Sequence, residues 1–282
     1  MLDHDSRRAA LLQHSGLTLE RDGRLEHFPV QATADARQIA PVPLVLVCVK
    51  SPALPQTLPS LRPLLTENTL LLAWQNGIAH LPVLLDAGLP CVVGVAVTSL
   101  GAHLLGPGRV RFGGAGSTSL GFPGQVSQEA RVALQGVAEL FRSAGLEAVV
   151  EPDILAQVWN KLLVNVGINA LTAIHNCENG ALLRNGQALG LLRAAVLEAA
   201  GVAQAKGIGI APDPVARTIA VCRATADNIS SMLQDVRSKR QTEIEAINGA
   251  VLEEARRLGV AAPANAELFA AVKGLGKGYL SG

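Results

Sequence analysis

Three residues in the apolar run "WNKLLVNVGINALTAIHN" (159–176) carry side chains able to bind or protonate a ligand: Lys161, Asn165 and Asn169. Their spacing of four places them in one stripe on an α-helix. Val158, Trp159, Leu162, Leu163, Val166, Ile168 and Leu171 would cover most of the remaining surface. The plain reading is a solvated stripe on an amphipathic helix. Such a face, however, is usually wider than one residue and rich in Glu, Lys or Arg. Amides and an ammonium group buried without partners cost several kcal/mol. The other reading is a cleft floor, where the amides meet a ligand and the lysine donates a proton or holds an anion. Desolvation there would lower the lysine's pKa.

Further groups invite the same two readings. Glu243 opens the segment "TEIEAING", where a helix dipole favours an acid in any case. Just ahead, "NISSML" (228–233) supplies Asn228, Ser230 and Ser231, or simply a helix-terminating loop. Asn76-Gly77 in "WQNGIA" follows a predicted strand, the place where an open α/β sheet presents ligand contacts. It is also a common turn pair. Lys50 ends the strand "LVLVCVK", leaving the core for water or for a ligand. "FGGAGSTSLG" lacks the strand-before, helix-after setting of a phosphate loop and reads as a turn joining a hairpin of "RVRF" and "STSLGF". His103 and His175 have no partners at metal-ligand spacing, so no metal is expected.

The elements that must position these groups fall into two halves. "LVLVCV" (44–49), "TLLLAW" (69–74) and "CVVGVAV" (91–97) are short apolar runs, as parallel strands covered on both faces would be. Segments of helical length, Pro55 to Leu65 and Ala79 to Ala87, lie between them, which implies βαβ units and an open sheet. From about Pro152 the period becomes 3.6. Asp213-Pro214 offers an N-cap with Pro at the first helical position, and Thr242 with Glu245 has capping-box spacing. The expected organisation is an α/β domain over 1–152 and an all-α domain over 153–282.

The 282 residues suffice for two such cores, and a net charge of +1 gives no reason to expect nucleic acid. Four scattered cysteines, Cys48, Cys91, Cys177 and Cys222, suit a reducing cytoplasm better than a disulfide framework. The early apolar run "PVPLVLVCV" is too short to span a bilayer, and "LDHDSRR" is unlike a secretory signal. A cytoplasmic protein with no membrane partner is expected.

Taken together, "VWNKLLVNVGINALTAIHNCENGAL", "ATADNISSMLQDVRSKRQTEIEAINGAVLEEARRLGV" and "LVLVCVK…LLLAWQNG" resemble the 2-dehydropantoate 2-reductase (ketopantoate reductase) family over essentially the whole chain. The resemblance implies a Rossmann-type dinucleotide-binding domain, a helical domain, and NADPH-dependent reduction of 2-dehydropantoate to pantoate, a step toward pantothenate and coenzyme A. Carried over by motif, Lys161 supplies the proton and Glu243 lies close to substrate and nicotinamide. Asn165, Asn169, Asn179, Asn228, Ser231 and Asn76 hold the substrate. Lys50, Asn76, Ala102, Glu243 and Arg7 meet the cofactor. A related branched 2-oxo acid is an alternative substrate. Helical second domains of this kind often pair, which leaves a homodimer open.

One family feature is absent. The strand, G-x-G-x-x-G turn and helix that hold a pyrophosphate do not occur, and "LDHD" stands where a Rossmann domain recognises ribose, about 20 residues beyond those glycines. With the first strand, roughly 30 residues are missing by that spacing. The expectation is a start placed too late, with an exposed edge where the central strand belongs. The alternative is a shortened, non-catalytic relative that has lost cofactor binding. Asp3 and Asp5 at this point favour NADH, whereas Lys50 and the resemblance favour NADPH, which is the expected cofactor with NADH left open.

Overall fold

A computed structural model describes residues 1–280. In chain order the elements are α1 (Ser6–Ser15), β1 (Leu17–Arg21), β2 (Arg24–Phe28), β3 (Leu44–Val47), α2 (Leu54–Leu61), β4 (Leu70–Ala73) and α3 (His80–Leu85). Then come β5 (Val92–Thr98), β6 (Gly101–Gly106), β7 (Arg109–Gly114), β8 (Ser117–Gly121), α4 (Gln128–Ser143) and β9 (Glu147–Val150). The helical half holds α5 (Ile154–His175), α6 (Gly186–Ala205), α7 (Pro214–Ala224), α8 (Ser231–Arg237), a π-helical turn (Glu245–Gly249), α9 (Ala250–Leu258) and α10 (Pro263–Leu280). Two compact units result. The first gathers Met1–Val47, Pro55–Trp74 and Ala87–Pro152; the second gathers Cys48–Leu54, Gln75–Asp86 and everything from Asp153.

The first unit is built on a five-stranded sheet of order β3-β4-β5-β8-β9. β3, β4 and β5 run parallel, as their short, fully apolar runs require, and β8 enters antiparallel to β5. Leu70, Leu72, Ala96 and Leu120 of the sheet pack on Leu134, Val137 and Ala138 of α4, and Trp74 meets Phe141 edge to face. Ser127 caps α4 by accepting the Ala130 amide at 3.3 Å. β3 pairs on one side only, with β4, so among the described residues the parallel run opens at an edge where Leu46 is 42% exposed. This is the Rossmann-type arrangement that the resemblance implies.

A second, four-stranded sheet has the order β2-β1-β7-β6. It corrects the expected hairpin of "RVRF" and "STSLGF". β7 pairs with β6 and β1, while β8 pairs with β5 and β9, so the connecting glycines carry the chain from one sheet to another. Gly114 has φ 138, and a Cβ on Gly116 would lie 2.5 Å from the Ser99 carbonyl carbon. The same composition that makes a tight turn also lets a strand leave its sheet beside another backbone.

In the second unit α5 is central, with α6, α7, α8 and α10 against it. Asp153 caps it at Ala156, and Asn176 ends it in the left-handed conformation at φ 49. Gly167 lets α6 approach: a Cβ there would lie 2.8 Å from Val196 Cγ2. α6 is the one described helix long and apolar enough to cross a membrane, but α5, α7, α9 and α10 pack on it as on a core helix. Asp213 caps α7 through the Ala216 amide. The capping box at Thr242 does not form. The helix instead begins with the π turn, whose entry at Ile244 has no side-chain cap, and Thr242 is buried.

Candidate active site

Lys161 lies on α5, half-buried among apolar neighbours. Burial pushes its pKa from 10.5 to about 8, opposed in part by the Glu243 carboxylate. Its Nζ donates to Asn76 Oδ1 at 2.8 Å, and Asn76 Nδ2 donates to Glu243 Oε2 at 2.9 Å. The carboxamide therefore joins an ammonium group and a carboxylate 85 and 167 positions away in the chain. The charges at either end fix which way it points, oxygen to the cation and NH2 to the anion. Glu243 is 8% exposed. Asn76 belongs to the segment Gln75–Asp86, so the whole constellation sits within the second unit. It can deliver a proton near neutral pH, because two of the three ammonium N–H groups have no partner among the described residues.

The stripe continues along α5. Asn165 is half-buried and Asn169 is 7% exposed, and neither side chain has a hydrogen-bond partner among the described residues. Their polar atoms are not enclosed, so these amides border space that water or a polar ligand can reach. Thr172, one turn on, donates to Ser230 Oγ at 2.7 Å, and Ser230 caps α8 through the Leu233 amide. Ser231 is exposed at the start of α8, and so is Asn228 in the preceding loop. Asn179 is drawn to that loop: its backbone amide donates to Asn228 O at 3.0 Å and its Nδ2 to Thr225 Oγ1 at 2.9 Å. Its Oδ1 is buried and unpartnered.

The cofactor candidates divide. Lys50 pairs with the buried Asp235 at 2.6 Å and donates to Gln241 O at 3.0 Å, within the second unit. Arg240 approaches the same carboxylate at 3.4 Å. Sequence reasoning missed Asp235, since only its burial beside two cations sets it apart. Ala102 and Arg7 belong to the first unit. Ala102 is exposed on β6 opposite Phe112, and Arg7 is exposed in the first turn of α1. Asp5 caps α1 by accepting the Arg7 and Arg8 amides, while Asp3 holds the Arg8 guanidinium at 2.5 Å. An anion already stands at that helix N-terminus, so it does not fit a pyrophosphate. The donor set at Lys161, Asn76 and Glu243 does fit the reactive end of a nicotinamide and a carbonyl substrate.

Among the described residues no cluster of His, Cys, Asp or Glu could hold a metal. His80, also missed, is 1% exposed with both ring nitrogens unpartnered, and burial pushes its pKa down to about 4.

The model of the ketopantoate reductase PanE/ApbA family matches residues 1–125, and that of its C-terminal region matches residues 153–276. A 2-dehydropantoate 2-reductase of Halobacterium salinarum is 36% identical over 267 residues, 93% of this chain and 86% of the relative. One from Vibrio cholerae is 33% identical over 233 residues, 82% of this chain and 77% of the relative. The crystal structure of a PanE/ApbA family ketopantoate reductase from Ralstonia eutropha JMP134 superposes with a TM-score of 0.88 at 27% identity, covering 98% of this chain and 90% of that one. The ternary structure of D-mandelate dehydrogenase with NADH and anilino(oxo)acetate superposes at 0.87 with 25% identity, covering 97% and 89%. On its two family matches and its relatives, the chain belongs to the ketopantoate reductase family.

Proposed function

We propose that this protein reduces 2-dehydropantoate to (R)-pantoate with NADPH, on the way to pantothenate and coenzyme A. The observation that carries the reading is the Lys161–Asn76–Glu243 chain. When bound, a reduced nicotinamide supplies the hydride that turns the C2 ketone into an alkoxide. Lys161 donates its proton to that oxygen, and its lowered pKa brings the donor close to the operating pH. Asn76 holds the ammonium group in place, and Glu243 keeps it cationic from the far side of the carboxamide. Asn165, Asn169, Asn179, Asn228 and Ser231 orient the carboxylate and hydroxyl of the substrate without adding charge. Lys50, Asn76 and Glu243, all of the second unit, contribute to cofactor binding, and NADPH rather than NADH is the reductant that the family resemblance implies.

The test is NADPH consumption on adding 2-dehydropantoate, with Lys161→Ala in parallel. The variant should lose most turnover while its NADPH affinity, read by fluorescence, stays within about threefold. Unchanged turnover would sink the proton-donor role. The likeness to D-mandelate dehydrogenase supports a second reading, reduction of another 2-oxo acid. Turnover of other branched or aromatic 2-oxo acids, with none of 2-dehydropantoate, would select it.

A further inference from the structure

Asn76 lies in a loop and Glu243 at the entrance of a π turn, yet the carboxamide between Lys161 and Glu243 tolerates little error. Backbone contacts beside it join the two segments. The Ile78 amide donates to Ala246 O at 3.2 Å. Between Asn76 and Ile78, Gly77 has φ 75, and a Cβ there would lie 1.9 Å from Ala246 O and 2.6 Å from its carbonyl carbon. No side chain of any kind fits at position 77 while that contact stands.

The π turn is itself anchored. The Ala246 and Ile247 amides both donate to Glu243 O at 3.0 Å, and Asn248 Nδ2 donates to Asn265 Oδ1 at 3.0 Å. Gly249 sits against Phe269, where a Cβ would lie 2.9 Å from Cε2. Such turns carry one residue more than an α-helix needs and recur at functional sites.

Resting on the reductase reading above, we propose that Gly77 and the Ala246 carbonyl form a latch that sets Asn76 between Lys161 and Glu243, making Gly77 a positioning residue for proton delivery. A side chain at 77 has to push the loop 76–78 away from the π turn. Asn76 is the adjacent residue, and a displacement of about 1 Å takes its hydrogen bonds beyond useful length. An error of that size can lower a rate on the order of 100-fold. Conformational freedom alone does not explain the glycine, since asparagine also enters the left-handed region.

The test compares Gly77→Ala, Gly77→Asn, Asn76→Ala and the Gly77→Ala/Asn76→Ala double variant. Gly88→Ala serves as a strain control, because Gly88 has φ 57 with nothing within 4 Å of an added Cβ. Both Gly77 variants and Asn76→Ala should lose kcat on the order of 10- to 100-fold with KM changed far less. The double variant should be no worse than the poorer single within about twofold, and Gly88→Ala should stay near wild type. Losses that multiply, or a Gly77→Asn variant with wild-type kcat, would overturn the latch.

Two readouts do not need turnover. The pH midpoint for acetylation of Lys161 by acetic anhydride, expected at about 8 in the wild type, should move by the same amount in Gly77→Ala and Asn76→Ala. Amide exchange at Ile78 in the unmodified chain should be as slow as in the adjoining helices, and exchange at a coil rate refutes the latch even if no Gly77 variant folds. A wild type that reduces no 2-oxo acid defeats only the functional reading; acetylation and exchange still decide the latch.

Discussion

Replacing Glu243 by Gln removes one negative charge and leaves a side chain of the same shape that can still receive the Asn76 amide. Two hydrogen bonds, of 2.8 and 2.9 Å, joined by one carboxamide set the Lys161 and Glu243 charges roughly 6 Å apart. At that distance the attraction is ~2.8 kcal/mol for an effective dielectric of about 20 and ~0.7 kcal/mol in water. These correspond to about 2 and about 0.5 pKa units. Lys161 is half-buried, so its ammonium group should fall from about 8 to a value between about 6 and 7.5 in the variant. On the proposed function ketone reduction needs the protonated lysine, so kcat is present below the midpoint and lost above it. The alkaline limb of the pH–rate profile should therefore move to lower pH by that amount. Oxidation of the hydroxy acid needs the neutral amine, and its rate should rise through the same midpoint. Steady-state profiles in both directions would measure the shift, and pH-dependent acetylation of Lys161 would measure it without turnover. A limb that stays at about 8 or moves upward refutes Glu243 as the electrostatic support of the proton donor.

Other consequences are separable. Lys161→Met should raise Tm at neutral pH: the folded pKa is depressed to about 8 from 10.5, so the unfolded chain binds the extra proton between these values. The destabilisation is fully present below about pH 8 and is relieved as pH rises toward 10.5, so calorimetry at both ends should show the gain and then its loss. Gly167→Ala should cost about 1–3 kcal/mol by overpacking α6, and Val196→Ala in the same chain should recover part of it, read by urea denaturation. On the proposed function, Asn169→Leu should raise substrate KM on the order of tenfold, because it removes an amide assigned to the substrate. Ser127→Ala should lower stability by about 1 kcal/mol through the lost cap of α4, with kcat untouched.

What the sequence disclosed followed the range of the interactions. The stripe Lys161, Asn165 and Asn169 was legible because helical periodicity is local, and its burial in the folded chain matches the narrowness of the pattern. The parallel strands were legible for a similar reason, as apolar runs bounded by turn residues. The bridge through Asn76 was not, since its partners lie 85 and 167 positions away and nothing near "WQNG" encodes them. The misread hairpin at 109–122 shows the limit from another side. Alternating strands around glycines look alike whether they pair with each other or with β1 and β5. At Thr242 the capping-box spacing supposed an α-helical start, and the π turn removed the geometry that the box needs.

The allocation of Gln75–Asp86 to the second unit bears on how this enzyme can be cut and recombined. A chimera joined at Pro152, the obvious seam, would bring Lys161 and Glu243 from one parent and the carboxamide between them from the other. Such a graft should fail in proportion to how differently the two parents shape the loop after their fourth strand. The transferable unit is therefore discontinuous: residues 75–86 have to travel with everything from Asp153, and a library that shuffles them independently samples mostly chains in which the Asn76 bridge is broken.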